Sequence, residues 1–157
     1  IGASQRIMMN LRPAILDQGL IASVQWLVAR FEKRTGVKTR FHSSGGEPEV
    51  TKTVQLTAYR TAQEALTNIS KYARCDLVTI DLTDTEGMLT LEITDNGQGI
   101  SEADLAKVNS FGLKGLRERA KTIGGWLDVS TRVGEGTSII LSIPLSPTSQ
   151  QVNQEAF

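Results

Sequence analysis

One cysteine, one histidine and no surplus of either charge are the first features of this 157-residue chain. The lone Cys75 rules out an internal disulfide and any multi-thiolate metal site, which suits a reducing compartment and a role as small filler near a helix end. Lys plus Arg and Asp plus Glu number 17 each, so no general field is available to hold nucleic acid or an anionic membrane surface. Phosphate recognition, if present, has to be local. No apolar run approaches the ~18 residues that cross a bilayer, and the start lacks a basic-then-apolar leader pattern. The piece in hand is expected to be soluble and to form one domain.

Helical and strand periods are clear along the chain. Ser4 to Leu11 reads as a helix already under way, which implies that something lies before Ile1. A break at Leu11-Arg12-Pro13 and another at Asp17-Gln18-Gly19 precede an amphipathic helix over 20–35. Its apolar positions are Leu20, Val24, Leu27, Val28 and Phe31, and Gly36 closes it. A half-buried strand over 37–41 and a loop over 43–48 follow. The next helix covers 54–73, and strands over 77–82 and 89–93 form an antiparallel hairpin through Asp84-Thr85-Glu86-Gly87. Ser101-x-x-Asp104 starts a short capped element. A helix over 113–123 ends at Gly124-Gly125, strands over 126–131 and 138–143 finish the domain, and a polar tail expected to be disordered runs from Ser146. The order fits an antiparallel or mixed sheet layered against helices, an α+β sandwich.

Four short motifs carry chemistry. On the 54–73 helix, Ala58, Ala62, Leu66, Ile69 and Ala73 form the core stripe, while Glu64, Asn68, Lys71 and Tyr72 share a second face. Those four groups suit a metal, a phosphate and a flat ring, although a solvated face would carry the same residue types. Asp95-Asn96-Gly97-Gln98-Gly99-Ile100 sets a carboxylate that could accept from an exocyclic amine beside glycines that let a ligand approach the backbone; a bare turn is its ordinary reading. Phe111-Gly112-Leu113-Lys114-Gly115-Leu116-Arg117-Glu118-Arg119 leads glycines into a helix start, with Lys114 and Arg117 adding positive charge for an anion; a flexible loop before a basic helix reads equally well. Gly134-Glu135-Gly136-Thr137 between two strands is, alone, a hairpin turn.

Other phosphate motifs are excluded. Gly46-x-x-x-x-Thr51-Lys52-Thr53 lacks the second P-loop glycine and holds Glu47 and Glu49, and a dinucleotide fingerprint begun at Gly97 and Gly99 fails at Glu102. His42 falls on a strand and reads as a structural or surface residue.

In their order the four motifs resemble the histidine-kinase branch of the gyrase, Hsp90, histidine kinase and MutL ATP-binding superfamily (the GHKL, or Bergerat, fold). Residues 63–73 resemble its N box, 95–100 its G1 box, 112–119 its G2 box and 134–137 its last glycine box. With the approach Leu11-Arg12-Pro13-x-x-Leu16-Asp17-x-Gly19-Leu20, the sequence is similar to the nitrate-sensor and sugar-phosphate-sensor subfamily over 11–145. That resemblance implies an ATP-dependent histidine protein kinase in two-component signalling, with ATP and Mg²⁺ as cofactors. It implies Asn68 as Mg²⁺ ligand, Asp95 as partner of the adenine amine and Thr137 as a second contact near adenine. Glu64 would orient water or the metal, Lys71 would touch phosphates, and Tyr72, Gly97, Gly99 and Ile100 would line the nucleotide. Gly112, Leu113, Lys114, Gly115 and Leu116 would wrap the triphosphate, closing a lid over residues 101–115 that is expected to be mobile without nucleotide and whose few large apolar anchors are chiefly Leu105, Val108 and Phe111.

The subfamily usually has His at the position of Tyr72, which puts any imidazole-specific role there aside. By the same resemblance, residues 1–19 are the tail of a dimerising, phosphoacceptor-bearing helical region and its linker, and 20–145 the catalytic domain. The implied partners are a response-regulator receiver domain and a second copy, joined through a dimerisation domain outside this chain; nucleic acid is not among them. The implied setting is bacterial and cytoplasmic, with an inner-membrane anchor left open. Two other classes stay in view: a non-catalytic nucleotide-binding module, and a serine kinase or anti-sigma factor on the same fold.

Overall fold

The computed structural model describes residues 11–145. The helix expected over 4–11 therefore lies outside the described residues except at Leu11, and so does the polar tail.

A 3-10 turn, Ala14–Gln18, buries Leu16 and leads into helix α1, Leu20–Thr35. Gly19 offers no side chain to cap α1, and the Glu47 carboxylate supplies that acceptor from a distant loop, bonding the backbone N–H groups of Leu20 and Ile21. This is the structural use of the acid that excluded a P-loop. Gly36 ends the helix in the left-handed region, φ 74°. Strand β1 runs Lys38–Ser44, reaching into the stretch expected as loop. Helix α2, Lys52–Tyr72, is capped by the Thr51 hydroxyl, which accepts from Val54 N–H at 3.2 Å.

Strands β2, Leu77–Thr85, and β3, Met88–Asp95, are longer than the sequence pattern indicated, because the turn is only Glu86-Gly87. Both turn residues have positive φ, 54° and 75°, the two-residue geometry that matches strand twist. Helix α3, Glu102–Lys107, a π-turn at Val108–Gly112 and helix α4, Lys114–Thr122, precede β4, Trp126–Arg132, and β5, Gly136–Pro144.

The sheet order is β1-β2-β3-β5-β4. β1 lies parallel to β2 through the α2 crossover and every other pair is antiparallel, so the sheet is mixed. One face is buried: Val78, Ile80, Leu82, Leu89, Leu91, Ile93, Leu127, Ile139 and Leu141 meet α1, α2 and α4 through Phe31, Ala58, Ala62, Leu66 and Leu116. The other face carries Thr79, Asp81, Thr83, Thr90, Glu92 and Thr94 at alternating positions, half-buried. The two-layer α+β sandwich is therefore observed. Its register sets Asp95 opposite Thr137, and the C-terminal half of α2 lies across that end of the sheet.

Candidate functional site

Asn68 sits on α2 facing inward, 5% exposed, although the helix face it belongs to could have been solvated. Its amide Nδ2 is buried with no hydrogen-bond partner among the described residues, the state of a group aimed at something outside the chain's own network. Glu64, one turn earlier, is half-buried; burial raises its carboxyl above the usual range, with the Lys71 ammonium pulling the other way. Lys71 itself is exposed and Tyr72 half-buried. Lys71, Tyr72 and Arg74 line a cleft of about 400 Å³ with Gln98, Gly99 and Ser101.

Asp95, at the end of β3, is 2% exposed. Its carboxylate accepts from Gly97 N–H at 2.8 Å, and burial raises its pKa against the lowering effect of the Gly97 and Thr137 backbone N–H groups. Asp95, Asn68, Tyr72, Ile100 and Thr137 line one pocket with Ala65, Ile69, Ile93 and Ile139. The sequence-designated amine acceptor, amide and hydroxyl thus meet on apolar walls, as a heteroaromatic base requires. The pocket is narrow, about 10 Å³, so a base enters only as the walls part.

The glycines around Asp95 are held close to the chain's own backbone. At Gly97 a Cβ would overlap the Ala73 carbonyl, and at Gly99, φ 80°, that of Arg132. At both positions the backbone of another strand or helix end passes where a side chain would sit, which by itself requires glycine. At Gly136, φ 93°, a Cβ would strike the Asp95 carbonyl.

The lid also departs from the sequence reading. Neither Gly112 nor Gly115 has positive φ. Gly112 packs on the Glu64 carboxylate, whereas Gly115 faces open space in the first turn of α4. Phe111, expected to anchor the lid, is 86% exposed, while Val108 and Leu113 are buried. Leu113 and Leu116 thus belong to the core, and Lys114 is exposed. Arg117, expected to attract an anion, instead donates to the Leu127 carbonyl at 2.9 Å and to Asn109 Oδ1 at 3.0 Å, tying the lid to β4.

Thr131 and Asn109 were missed altogether. The Thr131 hydroxyl accepts from Ile100 N–H at 2.8 Å and lies 2.9 Å from the Thr137 hydroxyl, a link legible only once strand register is known. His42 is exposed on β1, at the edge of the sheet away from the pocket. Among the described residues no three His, Cys, Asp or Glu side chains converge on a metal position, and no helix is long and apolar enough to cross a membrane.

The chain is 31% identical over 143 residues to the oxygen sensor histidine kinase NreB of Staphylococcus carnosus, covering 90% of this chain and 41% of that protein. It is 35% identical over 143 residues to the signal transduction histidine-protein kinase/phosphatase DegS of Brevibacillus brevis, covering 90% and 37%. It is also 30% identical to the sensor histidine kinase LiaS of Bacillus subtilis, covering 94% and 41%. The chain therefore spans about two fifths of the length of these relatives. In fold it is similar to the histidine kinase domain of the Erythrobacter litoralis EL346 blue-light activated histidine kinase, with TM-score 0.68, 21% identity, and 95% of this chain and 72% of that one covered. Residues 53–147, which hold α2, the Asp95 turn, the lid and Thr137, match the family described as histidine kinase-, DNA gyrase B- and HSP90-like ATPases, and the chain belongs to that family.

Proposed function

We propose that this chain is the ATP-binding catalytic domain of a sensor histidine kinase. It transfers the γ-phosphoryl group to a histidine on a dimerisation domain outside the chain, for onward passage to a response-regulator aspartate. The observation that carries the reading is the convergence of Asp95, Thr137 and the unpartnered Asn68 amide on one apolar pocket, which shares Tyr72 with the cleft that Lys71 lines.

In this reading the adenine amine donates to Asp95 and the ring lies between Ile100, Ile139 and Ala65. Tyr72 borders both the base pocket and the 400 Å³ cleft, so the phosphates run from it toward Lys71. Gly112, Leu113, Lys114, Gly115 and Leu116 bound the lid side, with Lys114 the free cation among them. Asn68 and, one turn away, Glu64 offer hard oxygen donors on one helix face. Two such donors suit an ion that takes its remaining ligands from phosphate and water, as Mg²⁺ does, and Mg²⁺ there would neutralise charge on the triphosphate. Glu64, its carboxyl held above the ordinary range by burial, orients the attacking group or the metal's water. Phosphoryl transfer asks chiefly for such positioning and neutralisation.

Residues 1–19 are read as the end of the dimerising region and its linker, and the parent protein as a bacterial homodimer whose catalytic domain lies in the cytoplasm. A direct test is labelling with γ-labelled ATP. The full-length parent should acquire acid-labile phosphohistidine, whereas the 157-residue chain should not label stably on His42. Label on His42, or a parent that labels on serine, would contradict this reading; the latter would favour a serine kinase on the same fold.

A further inference from the structure

We infer that Thr131, which does not line the base pocket, fixes the hydrogen-bond polarity of Thr137 and thereby selects adenine over guanine. The inference rests on the adenine site proposed above.

A hydroxyl has one proton and two lone pairs. Thr131 Oγ1 accepts the Ile100 N–H at 2.8 Å, and its own proton has two candidate acceptors: Thr137 Oγ1 at 2.9 Å and the Gly136 carbonyl at 3.4 Å. The shorter contact is the stronger bond, and 3.4 Å is beyond the range of a good O–H···O bond. Thr131 therefore donates to Thr137. Thr137 is 6% exposed, and its hydroxyl has no other hydrogen-bond partner among the described residues. With one lone pair occupied, its proton is free to turn into the pocket that it lines with Asp95 and Asn68.

The pocket then presents two unlike groups side by side. Asp95 accepts and Thr137 donates. Adenine matches this pair, with an exocyclic amine for Asp95 and the adjacent ring nitrogen N1 as acceptor for Thr137. Guanine reverses both, setting a carbonyl oxygen against a carboxylate and an N–H against a hydroxyl donor. Accepting guanine would require Thr137 to donate back to Thr131, leaving Thr131 only the 3.4 Å contact for its proton. The short Ile100 bond also joins the turn after Asp95 to β4, so one side chain sets both the turn and the hydroxyl.

Calorimetric titration of the 157-residue chain with ADP, GDP and 1-deaza-ADP tests this. The wild type should bind ADP at least about tenfold more tightly than GDP, and lose about tenfold on replacing ring N1 by C–H. Thr131→Val leaves the Thr137 hydroxyl free to accept as well as donate, so it should narrow the ADP-over-GDP preference by about tenfold while keeping the loss with 1-deaza-ADP. Thr131→Ser should keep the wild-type pattern. Equal wild-type affinity for ADP and 1-deaza-ADP overturns the inference even if Thr131→Val does not fold. So does a Thr131→Val protein that loses ADP and GDP affinity in the same proportion, the mark of a structural role only. Failure of the wild type to bind ADP at all would instead remove the adenine site itself.

Discussion

The α-carbon of Gly112 rests on the carboxylate of Glu64: a Cβ at residue 112 would overlap Oε1 and lie 3.2 Å from Cδ. The backbone at Gly112 and the Glu64 carboxylate therefore share one space. Gly112→Ala should displace Glu64 or lift the lid, lowering phosphotransfer by the full-length parent at least about tenfold, with a smaller change in ADP affinity. Gly115→Ala meets nothing within 4 Å in the first turn of α4, so it should leave transfer intact and raise stability by up to about 1 kcal/mol. Equal loss of transfer in both variants would contradict this distinction.

Glu64→Gln separates stability from function. The Glu64 carboxyl titrates above its unfolded value of 4.5 because it is buried. Its contribution to folding is therefore most favourable below that unfolded value and is lost as pH rises through the folded one. Toward neutral pH that contribution is lost, a cost of burial that glutamine does not carry. The thermal midpoint of Glu64→Gln should exceed that of the wild type at pH 7, and the difference should vanish near pH 4. Phosphotransfer should meanwhile fall about 100-fold or more. A lower midpoint at pH 7 would show that the carboxylate is paired, not merely desolvated.

Arg117→Lys tests the corrected role of the lid's arginine. Lysine cannot span both Leu127 O and Asn109 Oδ1 as the guanidinium does. The variant should lose about 1–3 kcal/mol in urea denaturation, with faster amide exchange at residues 108–112. Unchanged stability with weakened ATP binding would restore the phosphate role read from sequence.

These corrections mark the boundary of what the sequence makes legible. Helix α1 begins at Leu20 and ends at Thr35 as its apolar spacing indicates, and the core stripe Ala58, Ala62, Leu66, Ile69 and Ala73 is buried throughout, because amphipathic period and caps are local signals. The pocket could be located through the order of its motifs, and Asp95 and Thr137 meet in register. The reasons for the glycines could not, because the atoms that forbid a side chain at 97, 99, 112 and 136 belong to residues distant in sequence. Phe111 shows the converse limit: an apolar residue type does not say that a core exists to receive it, and this one lies open. Thr131 gave no signal of its own, since its partners are fixed by pairing between β4 and β5 and by the turn after β3.

Hydrogen exchange over residues 101–115 tests the lid as a mobile element. Only Val108 and Leu113 of this stretch are buried, and the Leu113 N–H bonds the Val108 carbonyl at 2.9 Å. Leu113 should be protected with or without nucleotide, while 102–107 and Phe111 should exchange fast and slow down about tenfold or more when a non-hydrolysable ATP analogue is added. Equal protection in both states would make this a rigid loop, and the narrow base pocket would then have to open elsewhere.

The account turns on Asp95 as the acceptor for the adenine amine, and calorimetric titration of ADP into wild-type and Asp95→Asn protein measures that directly. An amide presents a donor where the amine needs an acceptor, and losing a charge-assisted hydrogen bond costs about 1.5–3 kcal/mol. The prediction is a folded variant that binds ADP about tenfold to a hundredfold more weakly; undiminished affinity in a folded Asp95→Asn protein would contradict the account.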